Sequence, residues 1–214
     1  MEFLMELWEL FTVRNDQLWE AVQEHFFLVF ISMGFAVLIS VPLGVALTGM
    51  RRYAEPVIGV AAVAQTIPSL ALLGFMLPIL GIGTTNAIFA LTVYALLPIL
   101  RNTYTGIIDV DQSSVEAGRG MGMTRGQILR KIEIPLALPV IMAGIRTSTV
   151  IVIGIATLAT FVGAGGLGDV IMRGLAVQNS ALTLLGAIPA AILAIITDFI
   201  LKRIEVWMTP KGIR

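Results

Sequence analysis

The stretch SSVEAGRGMGMTRGQILRKIEIPLALP, Ser113 to Pro139, is polar and helix-forming, yet it is set between long apolar segments. It reads as two short helices meeting at a glycine turn. Ser113 and Glu116 have the Ser-x-x-Glu spacing of a capping box, in which each side chain takes a backbone N–H that the first helical turn leaves unpaired. Thr124 and Gln127 repeat the arrangement one helix later. Gly122, between them, supplies the backbone freedom that a helix stop and reversal need. Ile134-Pro135 is expected to end the second helix, because the proline ring disfavours helical geometry in the residue before it. Arg119, Arg125, Arg130 and Lys131 make the whole a capped, basic elbow. Between two membrane spans, such an elbow presents a knob to something in the cytoplasm.

The surrounding composition makes those spans the expectation. Hydrophobic residues are 57% of the chain and charged residues 13%, with mean hydropathy +0.92, which describes an integral membrane protein. A formal net charge of zero gives nucleic acid no electrostatic footprint to bind. With no cysteine there is no disulfide framework and no thiolate metal site. The single histidine, His25, rules out a histidine-rich metal site and reads as a structural residue at the membrane interface. No Ser/His/Asp set, close apolar carboxylate pair or Walker phosphate loop is present, so the chain reads as a non-enzyme without a metal or cofactor of its own.

Residues 1–24 hold six acids and one base, with Phe3, Leu4, Trp8, Leu10, Phe11, Leu18 and Trp19 spaced along one side of a helix, and are expected to form an interfacial helix. The stretch lacks the basic start and small-residue cleavage site of a signal peptide, so it is expected to be retained. Five segments then reach the roughly 20 apolar residues that cross a bilayer. They lie near 26–49, 56–80, 86–107, 137–162 and 181–203, with a polar loop at 108–136 and a tail at 204–214. With the N-terminus outside, the inner segments and span ends hold 11 of the 14 Lys and Arg residues. The positive-inside rule therefore predicts N-out, C-in, and a cytoplasmic elbow.

Some polar residues fall within spans. Proline at Gln65-Thr66-Ile67-Pro68-Ser69 frees a backbone carbonyl, and the polar side chains beside it fit a solvated passage better than lipid. Arg146 and Asp198 both fall in the cytoplasmic half of their spans and could pair, which makes a charge far cheaper in lipid. Residues 163–168 read GAGGLG, matching G-x-G-x-x-G, but they follow a membrane helix rather than a strand, so no dinucleotide site is expected.

The elbow also resembles a known signature. Permease subunits of ABC importers carry an "EAA" loop of Glu-Ala-Ala, three residues, Gly, nine residues and Ile-x-Leu-Pro. Glu116-Ala117-Gly118, Gly122 and Ile132-Glu133-Ile134-Pro135 fall at that spacing, with Gly118 in place of Ala and Ile134 in place of Leu. QTIPSLALLGF (65–75), LPILRNTYTGI (97–107), GIRTSTVIVIGIATLATFVGAGGLG (144–168) and TPKG (209–212) look like the osmoprotectant branch, which imports glycine betaine, carnitine or choline. The likeness covers residues 20–212 and implies the all-α, five-span type I permease fold over 20–203.

By that resemblance Glu116, Ala117, Gly118, Gly122, Ile132, Ile134 and Pro135 couple to an ATPase subunit, which binds the ATP and magnesium. Gln65, Thr66, Pro68, Ser69, Asn102, Thr147 and Thr149 are candidates for the solute path. Gly163, Gly165, Gly166 and Gly168, leading into a short outer helix near 169–175, are candidates for an outer gate. The implied partners are two cytoplasmic ATPases, a second permease copy or paralogue, and a separate extracytoplasmic solute-binding protein, all at a bacterial plasma membrane. The alternatives are an amino-acid or methionine permease, an ion-coupled secondary transporter, for which no duplicated halves are evident, and a structural membrane protein.

Overall fold

The computed structural model of the chain describes residues 2–209, and all of its regular structure there is helical. A short α1 (Glu2–Val13) leads into the long α2 (Asn15–Gly49), and α3 (Arg51–Thr66) is followed by α4 (Ser69–Leu80). After α5 (Thr84–Ile108) the elbow comprises α6 (Gln112–Gly120), α7 (Arg125–Ile128) and a π-helical turn (Leu129–Glu133). From it rises α8 (Ile134–Ala156), which tightens into a 3₁₀ segment (Thr157–Val162) before α9 (Leu167–Ala176) and α10 (Ser180–Met208). Four runs, α2, α5, Arg125–Val162 and α10, are each long and apolar enough to cross a membrane. A fifth crossing comes from α3 and α4 taken as one span, bent by 96° where they meet.

The helix boundaries differ from the sequence expectation in four places. The N-terminal arm is not one interfacial helix: the first span begins at Asn15, and Leu18 packs with Leu7 and Leu10 while Phe3, Leu4, Trp8, Phe11 and Trp19 stay exposed. The second span is broken at Ile67, whose extended backbone (ψ 127°) follows from the proline after it. The second elbow helix does not end at Pro135. A π turn, in which the Ile134 N–H bonds the Leu129 carbonyl five residues back, carries the helix past the proline, so elbow and span form one run from Arg125. The fifth span continues as helix to Met208, and Pro210–Gly212 of the TPKG match lie outside the described residues.

The bundle is organised around α5, which packs between α2 and α8. Its contact face is small: Ala87, Ala90 and Ala95 are buried beside Ala36 of α2 and Ala156 of α8, so backbones approach closely. Gly144 of α8 shows how closely, since a Cβ there would stand 2.8 Å from the Pro98 carbonyl and 2.7 Å from Asn102 Cβ. Serine hydroxyls of the flanking helices donate into α5: Ser32 to Ile88 (3.4 Å), Ser40 to Leu96 (3.2 Å) and Ser148 to Ala95 (2.9 Å). Interhelical bonds of this type contribute about 0.6 kcal/mol each in a membrane, so close packing carries more of the stability than they do. By contrast α10 turns Ile192, Ile195, Ile196, Phe199 and Ile200 outward, a face suited to lipid.

Candidate functional site

Two irregular regions lie at opposite ends of α2. Gly49, at its C-terminal end, lies beside Arg125 of the elbow, whereas Glu24 and His25 touch the glycine loop. The 25 residue steps from Glu24 to Gly49 span roughly 37 Å of helix.

At the elbow end the cap of α6 is Asp111 rather than Ser113. Ser113 lies inside the helix, and its hydroxyl donates to the Asp111 carboxylate, as does that of Ser114 at 3.4 Å. The Ser113 hydroxyl is the main reason the Asp111 carboxyl is held below its ordinary range. The Thr124–Gln127 box is complete: Thr124 N–H donates to Gln127 Oε1 at 2.8 Å, and Gln127 N–H to Thr124 Oγ1 at 3.4 Å. Between them Gly122 (φ +77°) closes a Schellman turn, with Met123 N–H bonding the Gly118 carbonyl and Gly122 N–H bonding that of Arg119.

The elbow is then folded shut by Ile132. Its Cδ1 lies 2.5 Å from where a Gly118 Cβ would sit, so glycine at the position where the signature has alanine makes room for isoleucine. Glu116 and Ala117 face outward and are exposed, Gly118 is buried, and Ile132, Ile134 and Pro135 are half-buried. A cavity of about 810 Å³ opens between this elbow and the ends of α2 and α5, edged by Arg51, Arg119, Arg125 and Glu133.

The seven candidate path residues are not brought together. Gln65 turns inward and donates to the Tyr94 carbonyl of α5 at 3.2 Å, while the Tyr94 hydroxyl donates to the Ile67 carbonyl. The break in the second span is thus stapled to α5, and the Gln65 amide is spent on structure. Thr66 and Pro68 are exposed, and Ser69 and Asn102 are half-buried. Thr147 is exposed, whereas Thr149, two residues on, is buried and lines an apolar groove with Phe30 and Met33.

Arg146 does meet Asp198, in a two-pronged contact of 2.9 and 3.1 Å, and its third arm reaches Glu205 at 3.1 Å. Glu205 was not singled out by sequence, although it falls seven residues after Asp198 and so on the same face of α10. The network ties α8 to α10, and each arm of the guanidinium meets a carboxylate.

At the other end, Gly163, Gly165 and Gly166 all have left-handed backbones (φ +69°, +76° and +87°), and Gly168 abuts the Thr157 carbonyl. The loop is pinned. Gly83 N–H donates to the Val162 carbonyl at 2.6 Å, and the Thr160 hydroxyl bonds the Asp169 carboxylate. Glu24 accepts the Gly166 N–H at 2.8 Å. His25 is completely buried behind the loop, with Nε2 3.1 Å from the Ile153 carbonyl. No periodicity or spacing pointed to these two residues. Among the described residues no group of acids and histidine could hold a metal ion.

Residues 37–210 match the family described as binding-protein-dependent transport system inner membrane components. The chain belongs to this ABC permease family. It is 51% identical over 191 residues to the glycine betaine/carnitine/choline transport system permease protein OpuCB of Bacillus subtilis, covering 89% of this chain and 88% of that protein. It is 46% identical over 211 residues to the carnitine transport permease protein OpuCD of Listeria monocytogenes, covering 98% and 95%. Over 196 residues it shares 45% identity with the osmoprotectant import permease protein OsmW of Salmonella typhimurium, covering 89% and 91%. Its fold is similar to that of the MetNI methionine ABC transporter in an inward-facing conformation, with TM-score 0.81, 27% identity and coverage of 90% and 96%. Family membership makes this a multi-pass transport permease, a non-catalytic subunit, and displaces the secondary-transporter and purely structural alternatives.

Proposed function

We propose that this chain is the translocation subunit of an ATP-driven importer of quaternary ammonium solutes such as glycine betaine, carnitine or choline. The observation that carries the proposal is the elbow: α6 exposes Glu116 and Ala117, and the glycine turn folds it onto the run from Arg125, which continues as helix into the fourth span. A push on that knob moves the span as a rod. The energy comes from partner ATPases, whose nucleotide-driven closure acts on one elbow per permease copy; a pair of ATPases therefore calls for two permeases, here a homodimer. The elbow lies in the cytoplasm with the C-terminus, and the N-terminus lies outside, as the distribution of Lys and Arg supports.

Transport proceeds by alternating access. A separate extracytoplasmic binding protein holds the cationic headgroup in an aromatic cage and delivers it to the glycine-loop end. The solute then passes the exposed polar positions at the bend of the second span and on α8, Thr66 and Thr147, and leaves by the cavity at the elbow end. The osmoprotectant reading is favoured over the methionine one by identity, 51% against 27%.

Uptake of labelled glycine betaine, choline and carnitine by salt-stressed cells carrying the whole complex tests the proposal. Accumulation of one of these solutes, together with co-purification of a Walker-containing subunit, is expected. Recovery of the permease alone in mild detergent, or uptake of methionine instead, would overturn it.

A further inference from the structure

We propose that Glu24 and His25 of α2 are positioning residues for transport. Together they latch the 3₁₀ segment and the glycine loop shut, and their release opens that end of the passage. This rests on the importer reading above.

The latch follows from where α8 loses its regular geometry. At Ala156 the helix tightens, and Thr157 N–H turns to the Gly154 carbonyl, three residues back. The Ile153 carbonyl, which that N–H would take in a continuing α-helix, is left outside the ladder. His25 Nε2 takes it instead, from a side chain with no exposure. Because a carbonyl only accepts, Nε2 carries the proton. Nδ1 is left as an acceptor with no partner, facing Gly166, where a Cβ would stand 3.3 Å away.

The preceding residue, Glu24, accepts the Gly166 N–H. Two consecutive side chains of α2 therefore hold both the point where the 3₁₀ segment leaves α8 and the end of the glycine loop. Rewinding α8 by one turn would return the Ile153 carbonyl to Thr157 and leave His25 with both ring nitrogens unmet in a buried place. His25 is thus fully used in only one of two backbone arrangements, which makes segment 153–166 a two-state element. The loop forms one wall of an open hollow of about 670 Å³ whose other walls include Glu24, Thr84, Thr160, Asp169 and Arg173, so unlatching would deepen that hollow toward the bundle.

The test uses the absence of cysteine from the chain. Ala164, buried at 5% exposure in the loop, is replaced by cysteine in the full chain expressed with its partner subunits. Its reaction with a membrane-impermeant maleimide is timed in intact and in permeabilised cells. Glu24→Ala and His25→Ala are expected to speed labelling roughly tenfold, the equivalent of one lost hydrogen bond. Glu24→Gln, whose amide oxygen still accepts the Gly166 N–H, and His25→Gln, whose amide still donates to Ile153, should restore the slow rate.

Gly165→Ala, whose methyl would meet the Glu24 carboxylate, should also speed labelling without altering α2, and it serves where an alanine variant fails to accumulate. Unchanged labelling in the alanine and Gly165 variants would overturn the latch. So would fast labelling in the glutamine variants. The importer reading fails on a different observation, the absence of solute uptake by the native complex, which leaves the labelling ratios readable.

Discussion

The elbow and the glycine loop are both breaks in a helical bundle, and both turn on glycines with left-handed backbones, yet they are held in opposite ways. In the elbow the bonds that fix the turn reach only a few residues: Thr124 to Gln127 spans three, and the Schellman turn closes within five. In the loop the partners lie far away in sequence, with Glu24 separated from Gly166 by 142 residues and His25 from Ile153 by 128. A locally held turn can move as a rigid knob. A turn held from across the chain opens when the helix that holds it shifts. That difference suits one end to receiving a push and the other to gating.

Alanine or valine placed at the glycines sharpens the contrast. Gly168→Ala should have the largest effect, because the new methyl would meet the Thr157 backbone carbonyl, which cannot swing aside. Overpacking against backbone costs about 3 kcal/mol or more, so the expected outcome is little folded protein in the membrane fraction and an early thermal transition in detergent. Gly122→Val meets nothing within 4 Å but forces a β-branched residue to φ +77°. That strain, about 1–3 kcal/mol, should distort the knob and abolish uptake while membrane insertion, read by immunoblot, is kept.

Thr124→Ala removes one arm of a complete capping box and should cost about 1 kcal/mol, lowering both melting temperature and uptake moderately. Gly118→Ala should be close to neutral, since its methyl presses only on the far end of the Ile132 side chain, makes ordinary contacts with Met123 and Ile128, and gains helix propensity of about 1 kcal/mol. Smallest of all is Ser113→Ala. Its hydroxyl keeps the Asp111 carboxyl below the usual range, a contribution present at neutral pH that fades as the pH falls through that carboxyl's own titration. Melting curves of the two proteins should therefore differ slightly at neutral pH and converge in strong acid.

The same contrast explains what could be read from sequence. The Thr124–Gln127 box and the Gly122 turn were legible because their partners are neighbours. Ser113 misled, since Asp111 two residues earlier competes for the cap and recruits the serine hydroxyl instead. Pro135 misled for another reason: a π turn absorbs a proline that local rules treat as a stop. Gln65 was expected in a passage but finds an α5 carbonyl, and Glu205 joins Arg146 only once α8 and α10 are packed. His25 stands out in the sequence only as the single histidine, with nothing to name its partner. Its role depends on an Ile153 carbonyl released by a change of helix type that no hydrophobic pattern records.

The most direct test of the central claim is the accessibility of a single cysteine at Met121, on the exposed tip of the elbow. In intact cells a membrane-impermeant maleimide should leave it unlabelled. In inside-out vesicles it should react readily, and co-assembled ATPase should protect it. Labelling from outside in intact cells would contradict the account.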